Sequence, residues 1–150
     1  MKKIRTVIID DESPAREIIK HYLKDLDSVE IIAECADGFC GLKSISFMKP
    51  DLVFLDIQMP RLTGIELVEV LTEKPVIIFT TAYDQFALKA FELNAVDYLL
   101  KPFPKMRFLE AVKKAIDKIR SGTENLEPAN QLLAKKPELA SPINRIVFVK

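Results

Sequence analysis

Asp10, Asp11, Glu12, Asp56, the pair Thr80-Thr81 and Lys101 all stand at or just past the ends of short apolar runs. Carboxylates brought together at one edge repel one another strongly unless a cation neutralises them. Hard oxygen ligands of this kind suit Mg²⁺, which keeps several waters and takes one or two carboxylates plus a phosphate. A lysine ammonium and a hydroxyl facing that ion would complete a clamp for a phosphoryl group. Taken singly, an Asp at a strand end is a helix cap and a Lys before Pro is a loop residue. The recurrence of these types at successive run ends carries the joint reading.

For these residues to meet, the elements before them must line up side by side. The runs Ile4–Ile9, Val29–Cys35, Leu52–Leu55, Val76–Thr80 and Asp97–Leu100 have strand length and are predicted strands. Between them lie segments with helical spacing. Ser13 reads as an N-cap with Pro14 at the first helical position, and Ile18, Ile19, Tyr22, Leu23 and Leu26 follow on one face. Phe39, Leu42 and Ile45 line a second helix between Asp37-Gly38 and Lys49-Pro50, and Ile65, Leu67, Val68 and Leu71 a third. A fourth is expected over about 85–93, and a fifth over about 104–120 with Leu109, Val112, Ile116 and Ile119 inward. Strands alternating with helices imply right-handed βαβ units around a parallel sheet. Apolar runs without polar alternation imply helices on both faces. In such sheets ligands collect outside the carboxyl ends of the strands, where the polar residues above are found.

Composition narrows the function. The 150 residues carry 22 basic and 22 acidic side chains, and neither residues 1–120 (net −1) nor 121–150 (net +1) form a basic module. Nucleic-acid binding through bulk charge is therefore excluded. No apolar run approaches the ~20 residues of a membrane span, and the start lacks the apolar stretch of a signal peptide. A soluble cytoplasmic protein with no membrane partner is expected. Cys35 and Cys40 are too few for a disulfide framework, and with only His21 they make no zinc site. They read as small apolar or partly buried fillers, and His21 as a polar face residue of the first helix. From Ser121 the periodicity stops, and Pro128, Pro137 and Pro142 mark a linker over 121–142. Ile143–Lys150 then reads as a strand, which cannot bury its own faces alone. It is expected to open a second domain, the alternative being a tail strand docked on the first.

Four separated motifs, Asp10-Asp11-Glu12, Asp56-Ile57-Gln58-Met59-Pro60-Arg61-Leu62-Thr63-Gly64, Thr81-Ala82 and Lys101-Pro102-Phe103, resemble those of bacterial response-regulator receiver domains. The resemblance covers roughly residues 1–120. It implies a flavodoxin-like, doubly wound sheet of five parallel strands in the order 2-1-3-4-5, with five helices. It implies that Asp56 is the phosphoacceptor, attacking phosphohistidine on a sensor histidine kinase. Asp10 and Asp11 would hold Mg²⁺ together with Asp56 and the backbone carbonyl of Gln58. Lys101, through a cis peptide to Pro102, would pair with phosphoryl oxygens, Thr81 would move to hydrogen-bond them, and Tyr98 would rotate inward behind it. Thr80 competes for the switch role, since strand alternation lets only one of the pair face the site; the hydroxyl–Ala pairing of the family favours Thr81. Gln58 and Tyr83 would flank the path of the hydrolytic water and set the phosphoryl lifetime, leaving slow self-dephosphorylation as the only turnover.

The stretch from Phe79 to Glu92 further resembles receivers that carry a LytTR-type DNA-binding domain, and Arg145–Lys150 is similar to that domain's opening strand. This implies a transcription regulator that touches DNA only through a part beyond Lys150. It also implies a homodimer formed through the fourth-helix, fifth-strand and fifth-helix face. Phe86, Phe91, Leu93 and Tyr98 are expected in the core or on that output surface.

Three other functions compete. An aspartate-nucleophile phosphohydrolase places a second acid two residues past the nucleophile, where this chain has Gln58, a poor proton donor. A flavin carrier needs hydroxyls and glycines after the first strand, where Asp10-Asp11-Glu12 would repel a phosphate. A stand-alone receiver acting as a phosphate sink leaves Ile143–Lys150 without a purpose.

Overall fold

The computed structural model describes residues 2–124. Five strands and five helices alternate: β1 (Ile4–Ile9), α1 (Ser13–Leu23), β2 (Val29–Cys35), α2 (Gly38–Met48), β3 (Leu52–Asp56), α3 (Gly64–Val70), β4 (Val76–Thr81), α4 (Ala87–Glu92), β5 (Asp97–Leu100) and α5 (Lys105–Glu124). All four strand pairings are parallel, in the order β2-β1-β3-β4-β5. The expected flavodoxin-like architecture is therefore present. The sheet lies within one compact unit ending at Ile116; a second unit begins at Asp117, and its described residues are the end of α5. The expected linker start at Ser121 is helical through Glu124, while the rest of the linker and the Ile143–Lys150 strand lie outside the described residues. No described helix is long and apolar enough to cross a membrane.

The pleat divides the core. Val7, Ile9, Val53, Leu55, Ile77 and Phe79 pack with Ile45, Leu67, Val68 and Ala90 from α2, α3 and α4. The intervening Phe54 faces the other way and stacks on Phe108 of α5, ring centroids 5.2 Å apart, while Phe103 stacks on Phe108 at 5.8 Å. The inward residues of α5 thus include Phe108, outside the expected set. Tyr22 tilts against both rings and donates its hydroxyl to the Phe103 carbonyl at 3.1 Å.

Three local expectations differ. Ser13 is already helical; Glu12 is the N-cap of α1, with extended backbone and no side-chain cap bond, and its own amide donates to the Asp10 carboxylate. Ile18 is exposed, and Phe39 projects outward from the first turn of α2. The caps of α2 and α3 follow standard chemistry. Asp37 accepts from the Cys40 amide at 2.8 Å, and Thr63 and Glu66 form a reciprocal capping box.

Candidate functional site

The carboxyl ends of β1, β3, β4 and β5 deliver the polar residues to one rim. Asp10 follows β1 directly and its amide donates to the Cys35 carbonyl at the end of β2, 3.0 Å away. Its side chain is fully buried: Oδ1 accepts from the Glu12 amide at 2.9 Å, and Oδ2 lies 2.9 Å from Lys101 Nζ without an aligned hydrogen bond. Asp11 is exposed. Asp56 ends β3, buried, opposite Thr80 of β4 in the strand register. One carboxylate oxygen from each of Asp10, Asp11 and Asp56 falls within 4.8 Å of the others.

Lys101 is the cation placed among these acids. Its amide continues the β4–β5 ladder, donating to the Thr81 carbonyl at 2.7 Å, and its bond to Pro102 is cis. The ammonium stands 2.9 Å from Asp10, 3.6 Å from Glu12 and 3.7 Å from Asp56. One positive charge shared among so many negative ones leaves the cluster underneutralised. Asp56 registers this: burial, reinforced by the charge on Asp10, pushes its carboxyl up to about 7, with Lys101 opposing and Asp11 adding. Burial pulls the Lys101 ammonium down, but the Asp10 carboxylate and the charge on Asp56 outweigh it and raise it above its ordinary value.

This donor set fits a divalent cation. The oxygens are hard, converge within a few ångströms, and include a buried carboxylate oxygen with no aligned donor.

The hydroxyls of β4 are both buried but differ in surroundings. Thr81 Oγ1 accepts from the Tyr83 amide at 3.2 Å, whereas Thr80 Oγ1 has no hydrogen-bond partner among the described residues. Tyr98 of β5 is half-buried against the core, and its hydroxyl donates to the Tyr83 carbonyl and accepts from the Phe86 amide at 3.3 Å. It thus ties β5 to the loop that follows Thr81. Phe86 and Leu93 are half-buried against the same core, while Phe91 is exposed. Gln58 and Tyr83 are exposed beside the strand ends.

Two contributors escape a reading by residue type. Arg16 of α1 reaches back to donate to the Asp10 carbonyl at 2.7 Å and to Glu34 at 3.1 Å, fixing the turn that carries the acids. Its place one turn past Glu12 is the only sign in the sequence. Gly64 lets α3 start against the backbone of Asp56; a Cβ there would collide with the Asp56 carbonyl.

The family model described as "Response regulator receiver domain" matches residues 6–113. A response regulatory protein of Yersinia pestis is 44% identical over 113 residues, covering 74% of this chain and 48% of its own length. The transcriptional regulatory protein BtsR of Escherichia coli (strain K12) is 39% identical over 134 residues, covering 88% of this chain and 56% of its own length. The chain therefore spans about half the length of these curated relatives. Among solved structures, the response regulatory domain of protein mrkE from Klebsiella pneumoniae superposes with a TM-score of 0.73 at 32% identity, covering 78% of this chain and 98% of that one. The REC domain of AraT, a response regulator from Geobacillus stearothermophilus, gives 0.71 at 33% identity, covering 79% and 97%.

Proposed function

The chain belongs to the response regulator receiver family, and on that premise we propose that Asp56 of this cytoplasmic protein accepts a phosphoryl group from phosphohistidine on a sensor histidine kinase. The observation that carries this is the buried Asp56 carboxylate, set among Asp10 and Asp11 with Lys101 between them. An Asp56 oxygen forms the new bond to phosphorus as the phosphorus–nitrogen bond breaks and its electron pair returns to the kinase imidazole. Asp10, Asp11, Asp56 and the Gln58 carbonyl are the groups that would hold Mg²⁺, which when bound offsets the negative charge of carboxylates and phosphoryl oxygens. Lys101, 3.7 Å from Asp56, is the cation that would pair with the transferred oxygens. The Thr81 oxygen accepts from the Tyr83 amide, which leaves its own proton to donate toward them.

Phosphorylation then biases an existing equilibrium through contacts that differ between its two states. Thr81, the loop after it and Tyr98 are already linked, because the Tyr98 hydroxyl holds Tyr83 and Phe86. Movement of Thr81 toward the phosphoryl group releases that loop, and Tyr98 turns inward. The affected face presents exposed Leu88, Phe91, Leu100 and Met106 from α4, β5 and α5, a surface suited to a second copy of this chain. Dimerisation would in turn present a LytTR-type DNA-binding part beyond Lys150 as a pair. Gln58, at the position where a phosphohydrolase needs an acid, supports a phosphoacceptor over an enzyme.

Incubation with Mg²⁺ and acetyl phosphate should add the mass of one phosphoryl group. Asp56→Asn should add none, and equal labelling of that variant would overturn the assignment. A phosphate mimic should strengthen self-association by about 1–3 kcal/mol in sedimentation experiments, the usual scale of allosteric coupling; unchanged association would overturn the dimer reading.

A further inference from the structure

Cys35 and Cys40 are the two cysteines of the chain; Cys35 fills the core as expected, whereas Cys40 does not. Cys35 ends β2 with its thiol buried, Cys40 sits exposed in the first turn of α2, and their sulfurs are 2.6 Å apart. We propose that Cys35 and Cys40 are a reversible dithiol–disulfide pair whose oxidation by a peroxide alters how Asp10 is held.

The two thiols have unequal roles. Cys35 is buried with its thiol hydrogen-bonded to Ser44 at 3.3 Å, whereas Cys40 is open to solvent. Access sets the order, so exposed Cys40 meets the oxidant first and buried Cys35 follows. The Cys40 sulfur attacks one peroxide oxygen, the oxygen–oxygen bond breaks, and a sulfenic acid and one water result. The Cys35 sulfur then attacks the Cys40 sulfur, displacing hydroxide, which takes the Cys35 proton and leaves as a second water. Two thiols lose two electrons and two protons, and one hydrogen peroxide becomes two waters. The sulfurs need close by only about 0.6 Å to reach the ordinary bond length.

The pair is mechanically joined to the acidic rim on both sides. The Cys35 carbonyl accepts the Asp10 amide at 3.0 Å. Next to Cys40, Gly41 lies so close to Ile9 that an added Cβ would meet its δ-methyl at 2.6 Å, and Gly38 packs as tightly on Leu62 in the loop after Asp56. A bond that draws the end of β2 toward α2 is therefore transmitted to the residues flanking Asp10 and Asp56. This second consequence rests on the phosphoacceptor reading above.

The test uses the full chain in a chelator, treated with hydrogen peroxide, denatured, and alkylated with iodoacetamide before intact mass measurement. Reduced protein should take two alkyl groups. Oxidised protein should take none, weigh two hydrogens less than the reduced chain, and recover both sites after dithiothreitol. Cys40→Ser and Cys35→Ser should each lose the two-hydrogen signature. Oxygen adducts on Cys40 with Cys35 still alkylated, or disulfides between chains, would overturn the pair. Returned to Mg²⁺ and acetyl phosphate, reduced and oxidised wild type should label at rates differing by about twofold or more, the low end of couplings through packed networks. Peroxide-treated Cys40→Ser should show no such difference. Equal rates despite a formed disulfide would overturn the link to Asp10. Labelling of neither form would instead overturn the phosphoacceptor reading, while the mass result would still decide the disulfide.

Discussion

Asp56 ends β3 and Asp97 begins β5, each with its carboxylate mostly enclosed in the same sheet, yet their surroundings act on them in opposite directions. Asp97 accepts two hydrogen bonds from Arg107 at 2.9 and 2.7 Å and one from the Tyr98 amide at 2.8 Å, with Lys114 Nζ 3.0 Å away. Burial pushes its carboxyl up, but Arg107, the amide and Lys114 together hold it at about 2. Asp56 shares the single Lys101 ammonium with Asp10 and Glu12 and is pushed up to about 7. Burial is common to both; the ratio of cations to carboxylates is not. The Asp97 cluster is complete as it stands and fastens α5 to β5. Among the described residues the Asp56 cluster is short of positive charge, which suits it to the divalent cation proposed above, and that cation would in turn offset the charge of a phosphoryl group.

Four substitutions break or sharpen this contrast. Lys101→Ala should have the largest effect, since removing one partner of a buried charge cluster is costly. We expect a loss of about 2–3 kcal/mol in urea unfolding with a chelator present, partly restored by Mg²⁺. Wild-type stability in that variant would mean the acids are already neutralised by other means.

Asp97→Asn should cost on the order of 1–2 kcal/mol at pH 7, the shift from 3.8 to about 2 being reduced by solvent screening of the exposed cations around it. Because the folded pKa is depressed, this stability is present above pH 3.8 and lost as pH falls toward about 2. The gap between variant and wild type should therefore close over that window, and a gap independent of pH would place the effect in packing instead.

The same substitution at Asp56 should have the opposite sign. Asp56→Asn removes a repelling charge and is expected to raise stability by about 1 kcal/mol in chelator, a gain that Mg²⁺ abolishes by favouring the wild type. Thermal unfolding with and without the ion measures it; a loss of stability would place the two aspartates in one class.

The smallest effect concerns the open side of the site. Tyr83 is exposed past Thr81, and its ring can crowd the approach of water to phospho-Asp56. Tyr83→Ala should shorten the phosphoryl lifetime severalfold, at most about 1 kcal/mol of barrier. An unchanged decay rate would remove Tyr83 from that path.

The sheet was legible because its runs are short, apolar and bounded by polar residues; β1, β2 and β5 fall on the expected bounds, and β3 and β4 run one residue further. Those extra residues are Asp56 and Thr81, polar types that a hydrophobic pattern cuts off although the ladder continues through them. Spacing brings Asp10, Asp11, Asp56 and Lys101 to one rim, and in the fold they stand together. Tertiary competition was not legible. The N-cap of α1 falls on Glu12, one residue before Ser13, and Phe39 turns outward although its spacing suits the core. The nearness of Cys35 to Cys40 depends on how a strand end meets a helix start, which residue type alone does not encode.

The start of α3 has a consequence for anyone screening random variants of this chain. Position 64 has no space for any side chain because the carbonyl of Asp56 occupies it. A library selected for signalling would thus discard substitutions at Gly64 as firmly as those at Asp56, and the two would look alike. Scoring cellular abundance beside output separates them: Gly64 variants should be depleted in both channels, whereas Asp56→Asn should remain plentiful and silent.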